Sequence, residues 1–226
     1  MPTNDGRAHS LVASLREVFD RASVADTRMR VDAQKSIYAS GDQDESMYLI
    51  ESGQVKLSMA SAGGKDCLIA IYTTGDMFGE SCFGPSPKRF ESATAMQPTV
   101  VRRVSRRDFM AEVEKSRAAA EALLRHIATR LADRQWAVFD LVTLASERRL
   151  AKVLLDVAEK LGVRDGPFLR LDQKISHEEL SQIVGTTRPR ITAFMQRFRK
   201  LGLIESAGRA IIVHKEKTRA FLDEDS

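Results

Sequence analysis

Between Arg117 and Ala145 the apolar residues step along the chain without a break. Leu124, Ile127 and Leu131 lead to one polar residue, Arg134, and then to Val138, Leu141 and Ala145, always at intervals of three and four. That alternation draws a seam two positions wide along one side of an α-helix. A helix this long with so narrow a stripe suits a partner helix, which predicts a homodimer with Leu124, Ile127, Leu131, Arg134, Val138 and Leu141 at its interface. The alternative is a helix packed on its own domain. Arg134 within the seam would fix register at some cost in stability. The helix also divides the 226-residue chain, long enough for two modest domains, into segments 1–116 and 146–226 that fold on either side of 117–145.

The two flanks differ in period. The first 30 residues read as short amphipathic helices, with Leu11, Leu15, Val18 and Phe19 at helical spacing. From Ser36 to about residue 105 the period is two. Short apolar runs are separated there by turns at Ser52-Gly53, Gly63-Gly64 and Thr74-Gly75-Asp76, as in an antiparallel sandwich or barrel. Cys67 reads as a small hydrophobe in one of these strands. After the long helix comes a second helix, 146–162, then a loop VRDGPF and a short strand around Leu169 and Leu171. Ser176 with Glu179 forms a capping box for a helix running to Val184. Gly185 stops it, and Thr187 caps another helix from Arg188 to Leu201, which Gly202 ends. Residues 203–214 read as a β-hairpin turning at Ala207-Gly208. The whole is α+β.

Charge separates the flanks further. Residues 1–185 are neutral overall, whereas 186–219 hold nine basic side chains against Glu205 and Glu216. A basic excess confined to one short stretch points to a polyanion, most simply nucleic acid. Helix, glycine-centred turn and helix inside that stretch is the helix-turn-helix plan. On the second helix Ile191, Phe194, Met195, Phe198 and Leu201 fall on one side as the buried face. Pro189, Thr192, Ala193, Gln196 and Lys200 face the other way, flanked by Arg188, Arg190 and Arg197. Arg188 is placed for a bidentate contact to guanine, and Arg199 and Lys200 for phosphates. Ser176, Thr186, Thr187, Arg190, Thr192 and Gln196 complete the expected DNA-binding set.

With these residues in view the chain resembles the Crp/Fnr family of transcriptional regulators, over nearly its whole length. The resemblance is carried by Gly41-Asp42, Met47-Tyr48-Leu49-Ile50, Ser52-Gly53-Gln54-Val55-Lys56-Leu57 and Gly75-Asp76-Met77-Phe78-Gly79-Glu80. Ser92-Ala93, Arg149-Leu150-Ala151 and Ile183-Val184-Gly185-Thr186-Thr187-Arg188 continue it. It implies an N-terminal antiparallel β-roll like a cyclic-nucleotide-binding domain, a dimerisation helix and a C-terminal winged helix-turn-helix. It further implies a dimer on a pseudo-palindromic operator in double-stranded DNA, acting on transcription initiation with RNA polymerase.

The resemblance also implies an effector pocket at Gly79, Glu80, Ser81, Arg89, Glu91, Ser92, Ala93, Arg134 and Gln135. Here the sequence departs from members that bind cyclic AMP. Their Arg-Ser-Ala triplet is Glu91-Ser92-Ala93, and a carboxylate repels a phosphodiester. Arg89, two residues earlier, either supplies the missing charge or pairs with Glu91. The Thr-Ser pair that contacts adenine aligns with Arg134-Gln135. Operator binding is therefore expected not to require cyclic AMP, and no cofactor is called for; an unidentified small-molecule effector is the open alternative. The recognition helix departs too, with Pro189 and Ala193 at positions where the family's best-known reader has Glu and Arg.

Other chemistries find little support. Two cysteines cannot ligate an iron–sulfur cluster, and His9, His126, His177 and His214 are scattered, so they read as surface or capping residues and no metal site is expected. A redox role for Cys82 lacks an adjacent cationic pair. No phosphate loop, nucleophile elbow or acid–base dyad marks an enzyme. Absence of a long apolar run and of a basic-then-apolar leader predicts no membrane partner and a cytoplasmic protein.

Overall fold

The computed structural model of the chain describes residues 5–22, 27–61, 66–172, 175–208 and 210–223, with side chains from Ser14 onward. It forms two compact units, 1–134 and 135–226, that divide within one long helix. The turn expected at Gly63-Gly64 and the side chains of His9 and Leu11 lie outside the described residues.

The first unit opens with α1 (Asp5–Ala22), which buries Leu15, Val18 and Phe19. Eight strands follow: β1 (Arg28–Val31), β2 (Ser36–Tyr38), β3 (Ser46–Ser52), β4 (Gln54–Ala60), β5 (Asp66–Thr73), β6 (Met77–Phe78), β7 (Ser92–Ala95) and β8 (Thr99–Ser105). They pair antiparallel as two four-stranded sheets, ordered β1-β8-β3-β6 and β2-β7-β4-β5, which is the expected β-roll. Alternation sends every second side chain inward. Tyr38, Tyr48, Tyr72 and Phe78 meet there with Ile50, Val55 and Val101. Tyr48 and Phe78 stack with centroids 5.0 Å apart, and Tyr38 lies 5.6 Å from Tyr48.

Beside the roll a second core joins α1 to α2 (Arg106–Val113) and to the start of α3 (Arg117–Thr143), with Phe19 edge-on to Phe109 at 5.3 Å. Three local expectations change. Residues 28–30, read as helical, form with Val31 a strand paired with β8. The helix α2 was not foreseen; Ser105 caps it, accepting from the Asp108 N–H at 3.1 Å. Cys67 is exposed on β5 rather than packed, while Cys82 is buried in a 3-10 turn at Glu80–Phe83.

In α3 the seam residues stand open to solvent, Leu124 at 69%, Leu131 at 58% and Val138 at 60% exposure. The helix stops at Thr143, so Ala145 leaves the seam and becomes the residue before α4 (Ser146–Leu161). The second unit continues with β9 (Val163–Asp165), β10 (Phe168–Leu171), α5 (His177–Val184), α6 (Arg188–Lys200), β11 (Ile204–Ala207), β12 (Ala210–His214) and α7 (Lys215–Asp223). Its antiparallel sheet is ordered β11-β12-β10-β9, so part of the segment read as a loop is a strand. The unforeseen α7 docks on α4, with Arg219 and Lys215 at 2.8 and 3.1 Å from Glu159. Among the described residues no helix is long and apolar enough to cross a membrane.

Candidate nucleic-acid interface and ligand pocket

Ser176 opens α5 as half of a complete capping box. Its Oγ accepts from the Glu179 N–H at 3.1 Å, and the Glu179 carboxylate accepts from the Ser176 N–H at 3.0 Å. At the other end Gly185 takes the left-handed conformation, φ 68° and ψ 48°, which glycine adopts without a Cβ penalty. The Gly185 and Thr186 amides both return to the Ser181 carbonyl, so the chain reverses and re-enters a helix at Arg188. This is a helix-turn-helix built by local hydrogen bonds.

On α6, Ile191, Met195 and Phe198 are buried and Phe194 is partly so. Leu201 does not join them. It sits past the last helical turn, where the backbone prepares for Gly202, and is 47% exposed. Arg188, Pro189, Arg190, Ala193, Gln196, Arg197, Arg199 and Lys200 are all exposed. Thr187 occupies the N-cap position, yet its hydroxyl makes no capping bond; Pro189 at the second helical position removes one of the amides it would have used.

Two of the basic side chains are tethered. Arg197 pairs with Glu147 at 2.9 Å, and Arg199 Nε donates to Ser206 Oγ of β11 at 3.1 Å, which ties α6 to β11. Thr192 Oγ1 donates to the Arg188 carbonyl at 3.2 Å and lies 3.0 Å from His177 Nδ1. His177, grouped with the surface and capping histidines from sequence, is thus brought into the expected DNA-binding set. Its place directly after the N-cap Ser176 was the available signal. An exposed helix face carrying Arg188, Arg190 and Lys200 offers donors for base edges and for phosphates.

The expected effector pocket is drawn together only in part. Arg89 is 2% exposed, and its guanidinium faces Asp44, not Glu91. It donates to Asp44 at 2.9 and 3.2 Å, to the Gly79 carbonyl and Ser81 Oγ at 2.7 Å each, and to the Ser46 carbonyl. It also lies 4.3 Å from the Tyr38 ring centroid. Burial opposes the ionisation of Asp44, but hydrogen bonds from Arg89, Ser46 and Tyr48 outweigh it and hold the carboxyl below its usual range. Gly79, at φ 96°, is required here, since a Cβ would sit 2.7 Å from the Ser46 carbonyl oxygen.

Glu91 is 3% exposed. Its Oε1 accepts from Ser81 at 2.7 Å and from Tyr38 at 3.0 Å, while its buried Oε2 has no hydrogen-bond partner among the described residues. Burial and the facing carboxylate push the Tyr38 hydroxyl upward, so it stays a donor. Glu80 turns to α3 instead, 2.5 Å from His126 Nε2 and 3.2 Å from Arg130 Nε. Arg134 is committed to the Ile69 carbonyl at 2.6 Å and Tyr72 Oη at 3.4 Å, whereas Gln135 is exposed in the second unit. Ala93 is buried in the core, and Ser92 Oγ accepts from the Ser40 N–H. A cleft of about 320 Å³ is lined by Met29, Ile37, Tyr38, Asp42, Gln43, Asp44, Tyr48 and Arg103, none of them in the expected set. Burial lifts the Cys82 thiol to about 11, which keeps it protonated.

Residues 28–116 match the cyclic nucleotide-binding domain and residues 148–218 the Crp-like helix-turn-helix domain. The chain is 34% identical over 181 residues to a CRP-like cAMP-activated global transcriptional regulator of Mycobacterium tuberculosis, covering 79% of this chain and 80% of that one. It is 25% identical to the global nitrogen regulator of Nostoc, covering 81% and 82%. In fold it is similar to FixK2 of Bradyrhizobium japonicum, with a TM-score of 0.77 at 20% identity over 90% of this chain and all of that one.

Proposed function

The chain belongs to the Crp/Fnr family of transcriptional regulators, and from that premise we propose that it binds its operator without requiring cyclic AMP. The binding unit is a homodimer joined along the α3 seam. Its two α6 helices enter successive major grooves of a pseudo-palindromic duplex, and the assembly acts with RNA polymerase at transcription initiation. Arg188 reads a base edge, Arg190, Arg199 and Lys200 meet phosphates, and Thr186, Thr187, Thr192 and Gln196 lie between them.

The observation that carries the cyclic-AMP independence is Glu91. A buried carboxylate stands at the family's phosphate-binding position and is held there by Tyr38 and Ser81. The neighbouring Arg89 is already neutralised by Asp44. A phosphodiester placed against Glu91 loses a charge-assisted hydrogen bond and gains repulsion in a poorly hydrated site. A second reading, a cyclic-nucleotide-responsive regulator, is favoured by the name of the Mycobacterium tuberculosis relative. It requires Arg89 to leave Asp44 for the ligand.

Operator selection from random duplex DNA, with and without cyclic AMP and cyclic GMP, tests the choice. The expected result is one enriched palindromic site whose affinity the nucleotides leave unchanged. Tightening by tenfold or more at micromolar nucleotide would establish the second reading.

A further inference from the structure

We infer that His177 is a proton-linked phosphate contact, pinned by Thr192 at the junction of the two DNA-binding helices so that operator binding takes up a proton. The inference rests on the DNA-binding reading above and adds to it a residue and a condition.

The geometry fixes the ring. With its own proton on the Arg188 carbonyl at 3.2 Å, Thr192 Oγ1 is free to accept from His177 Nδ1–H at 3.0 Å, and we take the ring in that tautomer. Nε2, on the far edge of the partly exposed ring, has no partner among the described residues. The Nδ1–H bond is the same in the neutral and charged forms. Protonation therefore leaves the pose intact and converts Nε2 from acceptor to donor.

The surroundings favour an anion at that nitrogen. His177 is the first residue of α5 and lies next to the positive end of its dipole. The charges that act on it both come from α6, Arg199 and Arg188. In its own first turn, Glu179 is turned back to Ser176, and Glu178 is exposed. Helix α4 meets the opposite end of α5, where Arg149 donates to the Val184 carbonyl at 2.9 Å. Partial burial, then Arg199 and Arg188, hold the imidazole pKa below its usual value in the free protein. A phosphate at Nε2 reverses the charge around the ring and raises that pKa. The bound state then holds more protons than the free one, so affinity rises as pH falls.

The test is fluorescence anisotropy of the full-length protein on its selected operator, from pH 8.0 to 5.5 at constant ionic strength. Wild type should bind about tenfold more tightly at pH 6 than at pH 8. H177Q should bind with a flatter profile. H177K should bind more tightly than H177Q at pH 8, and its log affinity should fall more steeply with log salt, by about two for a dimer with one added contact per protomer. An H177Q profile parallel to wild type, or an H177K salt slope equal to that of H177Q, overturns the contact. Failure of all three proteins to bind duplex DNA at any pH overturns the DNA-binding reading as well.

Discussion

Arg89 lies among five acceptors, the Asp44 carboxylate, the Gly79 and Ser46 carbonyls, Ser81 Oγ and the face of Tyr38, and is fully withdrawn from water. Without Arg89 the buried Asp44 carboxylate keeps the half-exposed Arg103 and the Tyr48 hydroxyl as partners, and losing one member of a buried pair costs up to about 3–5 kcal/mol. Arg89→Ala should lower the free energy of unfolding by that amount, read from urea titration at pH 7. The pH dependence gives a second readout. The Asp44 pKa is depressed in the folded chain, so its contribution is present above the ordinary carboxylate pKa and is lost as pH falls through the folded value. The variant should therefore lose less stability than wild type between pH 5 and pH 3; an equal loss would mean that Arg89 does not hold the Asp44 proton off. The pairing itself was not legible in sequence. Arg89 and Glu91 are two residues apart and share a side if extended, which suggested a local pair. The actual partner is 45 residues away and becomes a neighbour through the backbone pairing of residues 41–43 with 88–89.

At the scale of elements, long regular patterns were legible and short ones were not. The 3-4 seam predicted α3 within two residues, because six consecutive steps leave no other period. The capping box, Gly185 and Gly202 placed α5 and α6, since each is a local signal with its own geometry. By contrast β1, β9, α2 and α7 are three to nine residues long, too short for a period to declare itself, and exist through tertiary pairing. Trp136 and Phe139 escaped notice because they lie off the seam, yet they pack edge-on at 5.6 Å and are more than half exposed. The seam makes its own prediction. Leu131→Lys with Val138→Lys places like charges opposite one another in a helix pair, and sedimentation should then report a monomer that fails to hold operator. A wild-type monomer at micromolar concentration would remove α3 as the joint.

For the molecule as a whole, charge is partitioned more sharply than the near-neutral composition suggests. The net +4 of the chain is a balanced first 185 residues, a +7 stretch over 186–219 and an acidic tail. Such a division concentrates the net attraction for a polyanion in the C-terminal segment, where Lys215 and Arg219 are paired with Glu159 and the basic residues of α6 stay exposed. In a dimer the basic stretch appears twice, once per half-site, so every phosphate contact is counted twice. That doubling ties stoichiometry to electrostatics in a single measurement. Each contact contributes about 0.9 to the slope of log affinity against log salt on duplex DNA. Lys200, exposed at the end of α6 and without a hydrogen bond or ion pair among the described residues, is the cleanest probe. Lys200→Ala should therefore lower the slope by about 1.8 rather than 0.9, while leaving the preference among operator sequences as it was. A drop near 0.9 on a palindromic duplex would mean that only one half-site is engaged, and no drop would place Lys200 off the backbone altogether.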